Sequence, residues 1–139
     1  MRIAVIDGQG GGIGSAVIRR LQEEFGDRVE IWALGTNAIA TASMMKARAN
    51  RGATGENAII RSVARVDCII GTISVVMAHA MMGEMTPAAA AAIAAAPGRK
   101  LLIPLTQENV EVVGVRRDHL PVLLDQLVPL LGRELTDNV

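Results

Sequence analysis

Arg2-Ile3-Ala4-Val5-Ile6-Asp7-Gly8-Gln9-Gly10-Gly11-Gly12-Ile13-Gly14-Ser15 decides how the chain folds. Arg2 to Ile6 is a short apolar run of the kind that forms a buried strand. Ser15 to Phe25 follows with the apolar spacing of an amphipathic helix. Between them lie five glycines in the seven residues Gly8 to Gly14. Strand, glycine turn and helix together form a phosphate-binding device: the helix N-terminus offers free N–H groups and about half a positive charge.

Beyond this unit, strands and helices alternate. Val29 to Leu34 reads as a second strand, closed by Gly35-Thr36-Asn37. Ala38 to Asn50 reads as a helix with Asn37 as its cap, and Glu56 to Ala64 as another, opened by Thr54 or Gly55. Cys68 to Gly71 or Thr72 is a third strand, and Val75 to Met82 an apolar helix. Thr86-Pro87 caps the alanine tract Ala88 to Ala96. Leu101 to Leu105 and Val110 to Val115 read as two more strands. Their connection is too short for a parallel crossover, so the last strand is expected to be antiparallel. An amphipathic helix from about Leu120 to Leu135, with a kink at Pro129, closes the chain. The expected fold class is α/β: a three-layer Rossmann-like sandwich on a mostly parallel sheet of about five strands.

The 139 residues suit one domain, and a 50% hydrophobic content argues against disorder. Zero formal net charge gives no electrostatic case for nucleic acid or an anionic membrane as partner. The lone cysteine, Cys68, excludes an internal disulfide and suits a reducing cytoplasm. Cys68, His79 and His119 are scattered, so no metal is expected. The N-terminal apolar run is too short for a signal peptide, and Cys68 to Met82 falls short of a membrane span.

Gly8, Gln9, Gly10, Gly11, Gly12, Ile13 and Gly14 are the expected cofactor-binding residues. Gly8 and Gly10 match the first two glycines of the common dinucleotide fingerprint, but Ile13 stands at the third. The spacing Gly8-x-x-x-Gly12-Ile13-Gly14 instead resembles the cofactor loop of the short-chain dehydrogenases. That resemblance covers only the first strand–helix–strand unit. The family's catalytic tyrosine has no counterpart, because the chain contains no tyrosine. No Gly-Lys-Ser/Thr follows, so this is no Walker loop. A packing turn without ligand is the alternative.

NAD sites usually place Asp or Glu at the end of the second strand, to accept from the ribose 2′-hydroxyl. Here that place holds Gly35-Thr36-Asn37. Thr36 and Asn37 suit a 2′-phosphate, which slightly favours NADP over NAD, although no arginine sits beside them. They would equally serve as a helix cap alone. Thr72, at the end of the third strand, joins the same rim, as do Gly71 to Ser74 and Thr106 to Asn109. Asp7, Glu56 and Glu108 are the candidate proton-moving groups. Asp7 would be a base or a ribose contact, but a residue there more often holds the glycine turn through backbone N–H groups. Glu56 would complement a helix dipole, and Glu108 would equally be a solvated turn residue. His79, Cys68 and the methionines fit a core or a subunit interface.

Asp7 to Gly14, Ala33 to Ala38, Gly52 to Ala58 and Gly83 to Pro87 together resemble a small bacterial family catalogued as a domain of unknown function (3842). The resemblance runs from Met1 to about Val115 and implies a Rossmann-like fold in a bacterial cytoplasm, without a substrate or reaction. Three readings stand. The first is a module binding a nucleotide or dinucleotide; the second is a small isomerase or lyase acting on a phosphorylated metabolite. The third is a structural oligomer with an empty loop. A homodimer or higher homo-oligomer is expected in each.

Overall fold

The computed structural model describes residues 1–137. The chain runs β1 (Arg2–Asp7), α1 (Gly12–Phe25), β2 (Glu30–Gly35), α2 (Ala38–Lys46), β3 (Arg51–Thr54) and α3 (Glu56–Val63). It continues through β4 (Cys68–Thr72), a short 3-10 turn (Ile73–Val76), α4 (Pro87–Ala95), β5 (Arg99–Ile103) and α5 (Leu120–Asp137). The strands form one five-stranded sheet in the order β3-β2-β1-β4-β5. Every pairing is parallel, with Val5 opposite Ala33 on one side and Ile70 on the other. This is the Rossmann order without a sixth strand.

Alternation along the strands sorts the core into two layers. Ile3, Val5, Ile31, Ala33 and Ile70 pack with Val17, Ile18 and Leu21 of α1, Met44 of α2, and Leu127 and Leu131 of α5. Ala4, Ile6, Trp32, Leu34 and Ile69 face the opposite way, onto Ile59 and Val63 of α3 and Ala89, Ala90 and Ile93 of α4. Helices therefore cover both faces, as an all-parallel sheet requires.

The sheet corrects three expectations. The last strand is parallel, and it is β5 itself; Val110 to Val115 forms no strand. Val110, Val112, Val113 and Val115 are all exposed, Val113 by 95%, so the run buries neither face and gains nothing from pairing. It belongs instead to the crossing that carries the chain from β5 back to α5. β3 was unforeseen, because Arg51-Gly52-Ala53-Thr54 lacks an apolar face and its residues are mostly exposed. Gly52 lets the Met45 side chain lie close over the strand: a Cβ there would come within 2.8 Å of its sulfur, and the methionine would have to shift.

The apolar segment after β4 is not a helix. After Val76 the chain goes through turns in which His79, Met81 and Met82 all take left-handed φ values (68°, 57° and 56°), followed by Gly83 at 90°. Such a conformation costs a non-glycine residue on the order of 1–3 kcal/mol. Burial of Ala80, Met81 and Met85, the last completely, offsets it. α5 runs through Pro129 without ending there.

α4 has no amphipathic face to define its start, so its cap does. Thr86 accepts from the Ala89 amide at 3.2 Å and Pro87 occupies the first turn. Thr86→Ala should destabilise the protein by about 1 kcal/mol, read as a lower urea midpoint with unchanged slope.

Candidate functional site

The strand order reverses between β1 and β4, and a crevice opens there beyond their carboxyl ends, where open α/β sheets bind ligands. The crevice is about 220 Å³ and is lined by Asp7, Gln9, Ile13, Thr72, Ser74, Met81, Leu105, Thr106, Gln107 and Arg117. The Ser74 and Thr106 hydroxyls lie 2.7 Å apart, and Arg117 donates to the Thr106 carbonyl at 3.2 Å. A second hollow of about 170 Å³ between β5 and α5 is walled mainly by aliphatic side chains and has no converging polar groups. The crevice at the strand ends is the better candidate on chemistry.

The glycines divide into two groups. Gly8, Gly11 and Gly14 are buried and have structural reasons to be glycine. A Cβ at Gly8 would meet the Thr36 hydroxyl at 2.5 Å, and one at Gly14 the Met44 sulfur at 2.6 Å. Gly11 caps α1 at φ +74° against the Ala40 backbone. Gly10 and Gly12 are exposed, lack positive φ, and would have nothing within 4 Å of an added Cβ. Packing and conformation leave both glycines unexplained. Among the described residues, the amides of Gly10, Gly12 and Ile13 have no protein acceptor. These donors stand at the N-terminus of α1, where an anion would meet them.

Two carboxylates take up the rest of the loop. Asp7 accepts from the Gly8 amide at 2.8 Å and the Gly14 amide at 2.7 Å, tying β1 to the first turn of α1. Burial pushes its carboxyl above the usual range against these two bonds, and the Glu84 charge adds to the rise. Glu84 reaches across from the turns before α4. Its Oε1 accepts from the Gln9 amide (2.9 Å), the Thr36 hydroxyl (2.7 Å) and the Asn37 side-chain amide (2.8 Å). Partial burial pushes its carboxyl up, but these three bonds outweigh it and hold it below the usual carboxylate range.

Thr36 and Asn37 thus stand where the sequence put them, at the end of β2, but their donors are engaged. Asn37 also donates to the Gln9 carbonyl at 3.0 Å and caps α2 through the Ala40 amide. A 2′-phosphate placed there would face the Glu84 carboxylate, which removes the reason for preferring NADP. Thr72 and Asp7 line the crevice; Glu56 and Glu108 do not. Glu56 accepts from the Thr86 hydroxyl at 3.1 Å and links α3 to α4. Glu108 accepts from the Met81 amide at 3.0 Å and fastens the turns that carry Glu84. Cys68 lies fully buried in β4, and burial pushes its thiol up to about 12, with the Glu134 charge contributing. Among the described residues, no three His, Cys, Asp or Glu gather into a metal site, and no helix is long and apolar enough to cross a membrane.

Sequence reasoning missed Glu84 and Arg117. Glu84 stood in a quoted motif, Gly83 to Pro87, but nothing local indicates that it meets a loop 75 residues earlier. Arg117 follows an irregular run and carries no motif.

Fold and site together define a doubly wound α/β domain with a glycine loop at its switch point, an arrangement found in nucleotide-binding proteins. The chain belongs to the family described as Domain of unknown function (DUF3842), whose model matches residues 2–136 and so takes in α5 as well. No curated protein matches it in sequence. Among solved structures it is similar to the dodecameric FMN-dependent UbiX-like decarboxylase of Escherichia coli O157:H7. The TM-score is 0.46 at 17% identity, covering 96% of this chain and 75% of that one.

Proposed function

We propose that the protein binds a nucleotide or dinucleotide, with its phosphates over Gly10, Gly12 and Ile13. The observation that carries this reading is the pair Gly10 and Gly12, which neither packing nor φ requires to be glycine, beside three unpaired amides. Close approach of an anion to the backbone supplies the missing reason. Phosphates at this point would direct one nucleoside to the end of β2, at Thr36 and Asn37. They would direct the remainder into the crevice, with Thr72, Ser74, Thr106 and Arg117. A volume of about 220 Å³ is below the roughly 300–1,000 Å³ of sites that enclose a drug-sized ligand, so the crevice suits one end of the molecule only.

Thermal unfolding against NAD, NADP, FAD, ATP and a set of sugar phosphates tests the reading. A ligand at 100 times its dissociation constant should add about 2.7 kcal/mol and raise the melting temperature. A rise with a nucleotide supports the proposal. A rise with sugar phosphates alone would replace it with a small phosphometabolite enzyme, and no rise with any of them would leave the loop a packing turn.

Self-association is supported by Ile39, Met82 and Val113, large apolar side chains that are 73%, 91% and 95% exposed. Light scattering on the eluted protein should give a mass that is a multiple of the chain's; a monomeric mass would overturn this.

A further inference from the structure

Glu84 does more at the glycine loop than packing requires. Its Oε1 is saturated by Gln9, Thr36 and Asn37, which fixes the carboxylate in one orientation. Its Oε2 accepts nothing from the described residues and makes no ion pair with any arginine or lysine. The side chain is half-buried, so this second oxygen is an acceptor held in place without a protein donor. The position is chemically defined. It lies beside the end of β2 and against the second residue of the glycine loop, which is where the fold brings a ribose. Sites of this fold usually carry a carboxylate at that point, encoded at the end of the second strand. Here Gly35-Thr36-Asn37 encodes none, and the acid arrives from a segment 47 residues after Asn37.

We propose that Glu84 is the specificity-determining carboxylate for the ribose of the bound nucleotide, with Oε2 accepting from a ribose hydroxyl and the charge excluding a 2′-phosphate. This rests on the nucleotide reading above and deepens it: the ligand is of the class with a free 2′,3′-diol, NAD rather than NADP. Thr36 and Asn37 act through Glu84 as positioning residues, because their donors are already spent on Oε1. Glu108 acts one step further back, since its bond to the Met81 amide holds the turns that carry Glu84.

Titration calorimetry of wild type and Glu84→Gln with NAD and with NADP tests this. Wild type should bind NAD at least about tenfold more tightly than NADP, because a like charge is brought against the 2′-phosphate. Glutamine keeps an acceptor for the Gln9 amide but removes the charge, so the ratio should fall towards one through tighter NADP binding. A glutamate with only a structural role would instead lower both affinities alike and leave the ratio unchanged, which would overturn the proposal. Should Glu84→Gln fail to fold, the wild-type ratio is measured at rising salt. Charge exclusion predicts that it narrows, and a ratio indifferent to salt counts against the proposal. Equal wild-type affinities at low salt would sink the role of Glu84 while leaving the nucleotide site standing. Binding of neither dinucleotide, or of NADP more tightly than NAD, would also overturn it. Loss of every nucleotide in the thermal test marks failure of the underlying reading.

Discussion

Gly12→Asp should lower nucleotide affinity by at least about 100-fold while the protein stays folded. The two halves of this expectation have separate physical causes. A side chain at Gly12 meets no protein atom within 4 Å, and the residue does not have positive φ, so the substitution strains nothing. Gly12 is the first residue of α1, where a carboxylate interacts favourably with the helix dipole by about 0.3–1 kcal/mol. The melting temperature of the unliganded protein should therefore hold or rise. The same carboxylate would stand in front of the Gly10, Gly12 and Ile13 amides and repel a phosphate, a like-charge contact that costs several kcal/mol. Gly12→Ala separates bulk from charge: affinity should fall less, and stability should change by no more than about 1 kcal/mol in the favourable direction. Gly14 is the contrasting position, since a Cβ there sits 2.6 Å from the Met44 sulfur and 2.9 Å from Asp7 Cβ. Calorimetry and thermal unfolding on the same preparations read both halves. Unchanged affinity in Gly12→Asp would return the loop to a packing role.

Asp7→Ala should cause the largest loss of stability of any change in the loop. Its carboxylate is the acceptor for the Gly8 and Gly14 amides, both on buried residues, and a methyl group leaves both unpaired. Each orphaned donor costs about 1–3 kcal/mol. For a chain of this length the melting temperature should fall on the order of 10 °C. Asp7→Asn retains one acceptor oxygen and should lose less. Its deficit also has a pH dependence of defined sign. Burial raises the folded-state pKa of Asp7 above that of an ordinary aspartate. A group raised in this way contributes stability fully present below the unfolded value and lost as pH rises through the folded one. Asparagine does not titrate, so the advantage of wild type over Asp7→Asn should narrow as pH rises through that folded pKa. Urea unfolding at a series of pH values would show it, and a gap that widens over that interval would contradict the placement of Asp7 in a desolvating site.

Glu84 contributes to stability with the opposite sign. Its lowered folded pKa means its contribution is present above the unfolded value of 4.5 and is lost as pH falls through the folded one. The two carboxylates that hold the glycine loop thus respond to acid in opposite directions.

Much of the architecture was legible because it is written locally. β1, the glycine loop, α1 and β2 follow from apolar runs, turn residues and the 3.6-residue spacing of Val17, Leu21 and Phe25. The caps of α2 and α4 were legible for the same reason: Asn37 and Thr86 each bond an amide three residues on. Where sequence reasoning failed, the deciding force was remote. β3 exists because its backbone pairs with β2, from Trp32 opposite Arg51 to Gly35 opposite Thr54. The run Val75 to Met82 has the composition of a helix. Burial of Met81 and Met85 and the fastening of the Met81 amide by Glu108 draw it into left-handed turns.

The candidate site divides in the same way. By itself the sequence determined that a glycine-rich turn joins the first strand to its helix, that Thr36 and Asn37 follow β2, and that Thr72 falls at the end of β4, since these are consequences of neighbours in the chain. Thr106 lies beyond the end of β5, which stops at Ile103 rather than at Leu105. Only the tertiary structure decided which glycines pack and which stay open, that the last strand is parallel, and that Glu84 meets Gln9 from 75 residues away. Those outcomes depend on which surfaces the sheet and its helices bring within hydrogen-bond distance, and no local pattern encodes a distance between segments so far apart.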